Sequence, residues 1–425
     1  MTELRRVAIV GSMRTPFCRS NTAYKALSNQ EMLTTAIQAL VNQHNLHGVK
    51  LDEVNAGAVV THAADWNLAR ETVLGTTLSP NTPATTIQQA CGTSLQGALM
   101  AAAKIASGEI DCAIAAGTDT TSDASIVFSK KFSRRLIAVN AAKTFGQRLK
   151  AFRGFSLKEL APVPPSNGEP RTGLSMGDHC ELMAKEWQIS REDQDALAAA
   201  SHQKAAAAYE EGFFDDLMTP MAGVERDNNM RPDSTPEALA KLRPAYDRKS
   251  GKGTLTAGNS TPLTDGAAAV LLASEEWAAA RGLPVLAYLR MGRTSALDFV
   301  AGEGLLMAPT VAVAELLQRT GLGLQDFDYY EIHEAFAAQV LCTLKAWEDD
   351  TFCREKLGLD GALGAIDRSK LNVKGSSLAV GHPFAATGAR VVGVLAKLLN
   401  EKGSGRGLVS VCTAGGMGVA AIIEK

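Results

Sequence analysis

No two cysteines of this chain are spaced as CxxC, and no apolar run approaches the ~20 residues that cross a bilayer. The seven cysteines are widely spread and odd in number, which argues against a disulfide framework and for free thiols in a reducing, cytoplasmic compartment. The opening "MTELRRVAIVGSM" has too short an apolar stretch for a secretory leader and carries an early acid, Glu3. It predicts a first strand, Val7 to Val10, instead. Charge of one sign is lacking too: 43 basic and 45 acidic residues leave a formal net charge of −2, so no global field would hold nucleic acid. A Walker A sequence, a GxGxxG after the first strand and an HExxH are all missing, since His333 and Glu334 have no second histidine. Nucleotide cradles and a zinc-hydrolase helix are therefore not expected, and no metal is.

What is present is a chain of 425 residues with the texture of an α/β protein, long enough for two or three domains. Short apolar runs alternate with Ala-rich stretches. "AIQALVNQ", "SLQGALMAAAKIASG" and "AATGARVVGVLAKLLNEKG" predict helices; "AGAVV", "DCAIAAG" and "GLVSVCTAGG" predict strands. That alternation favours a parallel or mixed sheet covered on both faces. The chain also echoes itself. Laying "ACGTSLQGA" over "GHPFAATGA" puts Cys91 on His382, Gly97 on Gly388 and Ala98 on Ala389. Two similar halves that bring these turns together would let distant residues share one site. Residues 123–258 differ in texture, being polar, Pro-rich and loop-rich, and read as an insertion. A helix inside it is predicted to start at Ser190, with Asp193 in the capping position. The division is then 1–122 with 259–284, the insert 123–258, and 285–425.

Four residues at strand–helix junctions stand out, where α/β folds build their sites. Cys91 precedes a predicted helix, whose free N–H groups would favour a thiolate and lower its pKa. Cys412 lies where a strand runs into "TAGGMG", His382 in a turn fixed by Pro383, and His333 between "YYEI" and "AFAAQV". Taken singly, each also fits a packing or spacer role.

Six spaced stretches resemble the thiolase family: "RTPF" at 14–17, "CGTSLQGA" at 91–98, "TAGNST" at 256–261, "HEAFAAQ" at 333–339, "GHPFAATGAR" at 381–390 and "CTAGGMG" at 412–418. The resemblance runs over nearly the whole chain. It implies a five-layered α-β-α-β-α fold of two similar halves, with the loop domain inserted in the first. It also implies acyl transfer: Cys91 as acylated nucleophile, His382 as its proton acceptor, Cys412 as the second acid/base. The N–H groups of Cys91 and Ala414 would form one oxyanion site, and His333 with His382 the other. Coenzyme A would be a substrate, with no tightly bound cofactor, and Ser175, Met176 and Thr261 would lie near its pantetheine arm. Ser175 and Thr261 read equally well as turn caps.

Two positions depart from the commoner family pattern. His333 stands where asparagine is frequent, which resembles the branch holding the β-subunit of the fatty-acid-oxidation trifunctional complex. Ala414 replaces a glycine. The implied reaction is thiolytic cleavage of 3-ketoacyl-CoA in fatty-acid β-oxidation, by a homodimer or higher oligomer, with an α-subunit as a further partner. A biosynthetic acetyl-CoA C-acetyltransferase shares the motifs, and an inactive scaffold subunit is the alternative of another class. Between residues 124 and 158 there are nine basic residues (Lys130, Lys131, Arg134, Arg135, Lys143, Arg148, Lys150, Arg153 and Lys158) and no acidic one. They interleave with Phe128, Phe132, Ile137, Phe145, Leu149 and Phe152. Such a stretch suits an anionic membrane surface, an acidic partner or the phosphates of coenzyme A.

Overall fold

The computed structural model describes residues 4–163, 166 and 168–425. Glu3 and the Pro164–Pro165 pair lie outside the described residues. Among the described residues, twelve strands follow in chain order: β1 (Val7–Arg14), β2 (Cys18–Arg19), β3 (Glu53–Gly57), β4 (Ala84–Thr86), β5 (Cys112–Asp119), β6 (Val127–Phe128), β7 (Pro162–Val163), β8 (Thr264–Ser274), β9 (Ala287–Ala296), β10 (Tyr329–Ile332), β11 (Arg406–Thr413) and β12 (Met417–Glu424). β6 and β7 make a small separate ladder. The other long strands form one mixed sheet, ordered β10-β11-β12-β9-β1-β8-β5-β3-β4, with β2 beside β8. β8 reads "TDGAAAVLLAS" and is buried along its whole length, as a strand covered on both faces must be.

The repeat suggested by the sequence is visible in the pairing. In one half β3 is parallel to β5, β5 antiparallel to β8, and β8 antiparallel to β1. In the other, β10 is parallel to β11, β11 antiparallel to β12, and β12 antiparallel to β9. The halves meet where Ala8 pairs with Tyr288 and Ile9 with Ala287. Helix Thr93–Ser107 precedes β5 as helix Thr387–Lys402 precedes β11, and both lie in the middle layer. Their apolar faces share one core with residues of both half-sheets, including Ile9, Leu95, Ala98, Val392, Leu395 and Val411. Helix Asn29–Gln43 covers the outer face of the first half, and helix Ala308–Thr320 that of the second, completing five layers.

Gly388 decides how closely the middle helices approach. A Cβ there would lie 2.4 Å from the Leu95 backbone nitrogen, so no side chain fits. The gap is closed by the Ala389 N–H donating to Ser94 Oγ at 2.8 Å, which caps one helix with a hydroxyl from the other. The Cys91 and His382 turns are thus brought side by side.

One expectation shifts and one holds. The strand expected over 56–60 ends at Gly57, because Asp119 Oδ1 takes the Val59 and Val60 N–H groups at 2.9 and 2.7 Å, away from a ladder. Ser190 does cap helix Arg191–Glu210, by accepting from the Asp193 N–H. Segment 123–258 also carries helices Lys130–Ala141, Phe145–Ala151 and Met176–Glu186. It is tied to the sheet by a buried bidentate pair, Arg14 Nη1 and Nη2 donating to Asp227 at 2.6 and 2.7 Å. It is tied again by Asn259 Nδ2 donating to Asp195 at 2.9 Å. "RTPF" and "TAGNST" therefore act through scaffolding contacts.

Candidate active site

Cys91 sits in a tight turn ahead of its helix. Ala90 takes the left-handed region at φ 44°, unusual for a residue with a side chain. Thr93 holds the turn: its hydroxyl donates to the Ala90 carbonyl at 2.7 Å and accepts from the Gln89 N–H at 2.8 Å. Gly92 is the N-cap, so Cys91 stands one residue outside the helix rather than in its first turn. His382 Nε2 lies 3.1 Å from Cys91 Sγ across 291 positions of sequence. The His382 N–H donates to Thr264 Oγ1 at 2.7 Å, and His382 Nδ1 lies 2.6 Å from Thr387 Oγ1. All seven cysteines are unpaired, and six are at most 1% exposed while Cys91 is 8% exposed, which leaves Cys91 the most reachable thiol.

Here the lowered thiol pKa expected from the helix start is corrected. Burial, with the nearby Asp119 carboxylate second, pushes the Cys91 thiol up to about 12. The N–H groups of Ala414 and of Cys91 itself pull the other way without overcoming it. Burial, helped by the Arg390 guanidinium, drives His382 down to about 3. At neutral pH the pair is thiol and imidazole, so Cys91 S–H donates to Nε2 and Nδ1–H to Thr387. The two backbone donors that face the sulfur are the ones the sequence suggested for an oxyanion. Ala414 is an ordinary residue in the turn because the left-handed positions are Gly415 and Gly416, at φ 76° and 71°.

His333 stacks beside His382 with ring centroids 4.1 Å apart. Its Nδ1 is 2.7 Å from Ser377 Oγ, and its buried Nε2 has no hydrogen-bond partner among the described residues. Burial, then His382 and Arg390, hold it well below the usual imidazole range. Burial raises the thiol of Cys412, on β11, well above its usual range, and the neighbouring Cys91 adds to the rise. Cys91, His333, His382 and Cys412 are thus gathered, and Ala414 with them. Cys91, His333 and His382 offer ligand atoms within 4.8 Å of one another, which could hold a soft divalent ion; the thiol–imidazole hydrogen bond accounts for the closest of these approaches.

The remaining site residues are placed differently. Ser175 caps helix Met176–Glu186, accepting from the Asp178 N–H at 3.2 Å and donating to its carboxylate at 2.5 Å. Thr261 Oγ1 donates to the Ala335 carbonyl at 3.0 Å. Both hydroxyls are engaged, Ser175 as a helix cap and Thr261 in a tie between distant segments. Met176 packs against the apolar cluster that contains Cys412 and Phe336.

Within 124–158, the nine cations are not equivalent. Arg135 is largely buried, bonded to Glu159 and to the carbonyls of Ala151, Arg153 and Gly154; Lys131 also pairs with Glu159. Arg135 is a staple of the helical hairpin, not a docking charge. Phe132 is likewise buried, against Phe128 and Phe155. Ile126, Ile137, Phe145, Leu149 and Leu157 are exposed.

Sequence reasoning missed Asp119, whose second oxygen accepts from the Ala385 N–H at 2.8 Å and so holds the His382 turn. Its place at the end of an apolar strand was the available signal. It also missed Glu169, which accepts from the Gly415 N–H at 3.0 Å and steadies the turn after Ala414 from the insert. No local pattern marks Glu169.

The family model described as thiolase, N-terminal domain, matches residues 7–276, and that for the thiolase C-terminal domain matches 283–425. A 3-ketoacyl-CoA thiolase of Yersinia pestis (strain Pestoides F) is 45% identical over 425 residues, covering 99% of this chain and 97% of its own. The crystal structure of human mitochondrial 3-ketoacyl-CoA thiolase superposes with a TM-score of 0.81 at 28% identity, over 99% of both chains. The Bacillus anthracis acetyl-CoA acetyltransferase does so at 0.80 and 28%, over 100% of both. The human thiolase in complex with CoA gives 0.81 at 27% identity, over 100% of each chain. With both domains matched in order and the fold shared throughout, the chain belongs to the thiolase family of acyltransferases.

Proposed function

We propose that this enzyme cleaves 3-ketoacyl-CoA with coenzyme A, giving acetyl-CoA and an acyl-CoA two carbons shorter, in fatty-acid β-oxidation. The observation that carries the reading is the Cys91–His382 contact at 3.1 Å with the N–H groups of Cys91 and Ala414 turned to the same sulfur. His382 Nε2 takes the thiol proton as Sγ bonds to the 3-keto carbon. The oxyanion forms between the two N–H groups. When that tetrahedral species collapses, the bond between C2 and C3 breaks and leaves an acyl-Cys91 thioester with an acetyl-CoA enolate. His382, now protonated, and His333 donate to the enolate oxygen, and Cys412 S–H protonates its carbon. Coenzyme A then attacks the thioester and gives its proton to the Cys412 thiolate. Cys91 leaves as thiolate and recovers its proton from His382, completing a ping-pong cycle.

Two similar superpositions, one with a thiolase and one with an acetyltransferase, do not separate cleavage from condensation. The 45%-identical 3-ketoacyl-CoA thiolase supports cleavage, as does the partly buried apolar wall of Met176, Leu297 and Phe299 beside the Cys412 cluster. Thiolysis of short- and long-chain 3-ketoacyl-CoAs tests it. Turnover of both classes is expected; activity on acetoacetyl-CoA alone would favour the biosynthetic reading, and no acyl-enzyme at all the scaffold. Within this reading residues 1–122 with 259–284 and 285–425 are the two catalytic halves, and 123–258 is the insert that receives coenzyme A. Seven unpaired cysteines suit a reducing cytoplasmic setting, and a homodimer or higher oligomer is the assembly expected from the family.

A second reading concerns the hairpin. Its exposed Ile137, Phe145 and Leu149 lie among Arg134, Lys143 and Arg148, while among the described residues no helix is long and apolar enough to cross a membrane. The hairpin therefore suits peripheral docking on an anionic surface, either lipid or an α-subunit. Reversing Arg134, Lys143 and Arg148, with Arg135 kept, should abolish salt-sensitive binding to anionic vesicles and leave short-chain thiolysis intact. Unchanged binding to vesicles and to an α-subunit would refute docking; lost thiolysis would point to coenzyme A.

A further inference from the structure

Arg390 is the last residue of "GHPFAATGAR", and nothing in the mechanism above uses it. It lies buried on helix Thr387–Lys402, with the Glu331 carboxyl group at 3.9 Å. A buried guanidinium is costly to desolvate, and an apolar side chain would fill the same space more cheaply. Its two terminal nitrogens have specific destinations: Nη1 reaches Ser376 Oγ at 3.1 Å and Nη2 reaches Ser377 Oγ at 2.6 Å. The other partner of Ser377 Oγ is His333 Nδ1, at 2.7 Å.

Arginine has no acceptor, and a serine hydroxyl has one proton. The Arg390 N–H occupies a lone pair of Ser377 Oγ, so the Ser377 proton must go elsewhere. His333 Nδ1 is the remaining partner. If Nδ1 carried a hydrogen, Ser377 would face two donors and its own buried proton would have no acceptor, which costs more than making the bond gains. We propose that Arg390 is a positioning residue: through Ser377 it fixes His333 as the Nε2–H tautomer, which turns a proton donor towards the reacting carbonyl. This rests on the reading of His333 as an oxyanion donor. The adjacent His382 is set the opposite way, since its Nε2 must be bare to accept from Cys91. Two neighbouring imidazoles thus hold opposite tautomers, one through Ser377 and one through Thr387. The same guanidinium charge also helps keep both rings neutral.

The test uses the intact enzyme labelled with ¹⁵N-histidine, with His333 assigned by its loss in His333→Asn. The two-bond nitrogen–proton couplings should report Nε2–H for His333 in the parent and a shift to Nδ1–H, or a mixture, in Ser377→Ala. Arg390→Met should shift it in the same direction and Arg390→Lys less. Should Arg390→Met fail to fold, Ser377→Ala still decides. In kinetics, Ser377→Ala should lower kcat for thiolysis by about 10- to 100-fold, below the full ~10²–10³ loss of one donor, with KM little changed. In a His333→Asn background, whose amide donates regardless of ring tautomer, the same substitution should cost less than about twofold, since removal of a merely structural hydroxyl would add its cost undiminished. A parent His333 in the Nδ1–H form, or full additivity of the two substitutions, overturns the proposal. An Nε2–H tautomer with a fully active His333→Ala would instead retire the oxyanion reading and leave the tautomer assignment standing.

Discussion

Replacing His382 with asparagine tests how Cys91 becomes a nucleophile. A thiol pushed up to about 12 is almost wholly un-ionised at neutral pH. An imidazole driven down to about 3 is almost wholly unprotonated there. The resting pair is therefore not an ion pair, and the proton must move to Nε2 as the sulfur attacks. His382→Asn keeps a polar group of similar reach but removes the base, and should slow acylation by ~10²–10⁴. The pH dependence carries the sharper information. With the base in place the proton acceptor is present at every pH above about 3, so the parent rate should be level across neutral pH. In the variant only spontaneous thiolate reacts, and its rate should climb ~tenfold per pH unit below the thiol pKa. Single-turnover acylation by a simple activated thioester, followed by the mass of the Cys91 peptide, measures both. A variant whose slow rate is also level at neutral pH would mean that the turn alone generates thiolate, and the reasoning from burial would be wrong.

Cys91→Ala should abolish the acyl-enzyme, whereas Cys412→Ala should still be acylated by an activated thioester yet lose carbon–carbon cleavage by ~10²–10⁴; equal failure in acyl transfer would end the division of roles. His333→Asn should retain substantial thiolysis, and His333→Ala should lose ~10²–10³; equal rates in the two would make the residue structural. Ala414→Gly should leave kcat within about twofold, because residue 414 is not left-handed and its N–H is unchanged, and should lower stability by ~0.4–1 kcal/mol through the freer unfolded chain. A large kcat gain, read in the same thiolysis assay, would show that the alanine strains the turn.

What the sequence made legible were residue types at the ends of apolar runs. A cysteine or histidine placed where strand passes to helix has no packing reason that is specific to it, and the alignment of Cys91 with His382 survives because Gly388 and Ser94 serve one helix contact. Burial was not legible. The helix-start argument for a low Cys91 pKa weighs a dipole at the surface, but Cys91 lies outside the first turn and under protein, where desolvation wins. The count of cations in 124–158 could not tell that Arg135 is spent on Glu159 and three carbonyls inside its own hairpin, because that depends on where the chain folds back. Hydrogen-bond direction is harder still. His333 and His382 each place Nδ1 against a hydroxyl, and by residue type the two contacts are nearly the same. They differ in what stands behind the hydroxyl. Behind Ser377 there is a donor-only guanidinium, thirteen residues further along the chain, and that forces the serine to give its proton to the ring. The difference between the two rings is thus written in Arg390, which belongs to the His382 motif and not to the His333 motif it acts on.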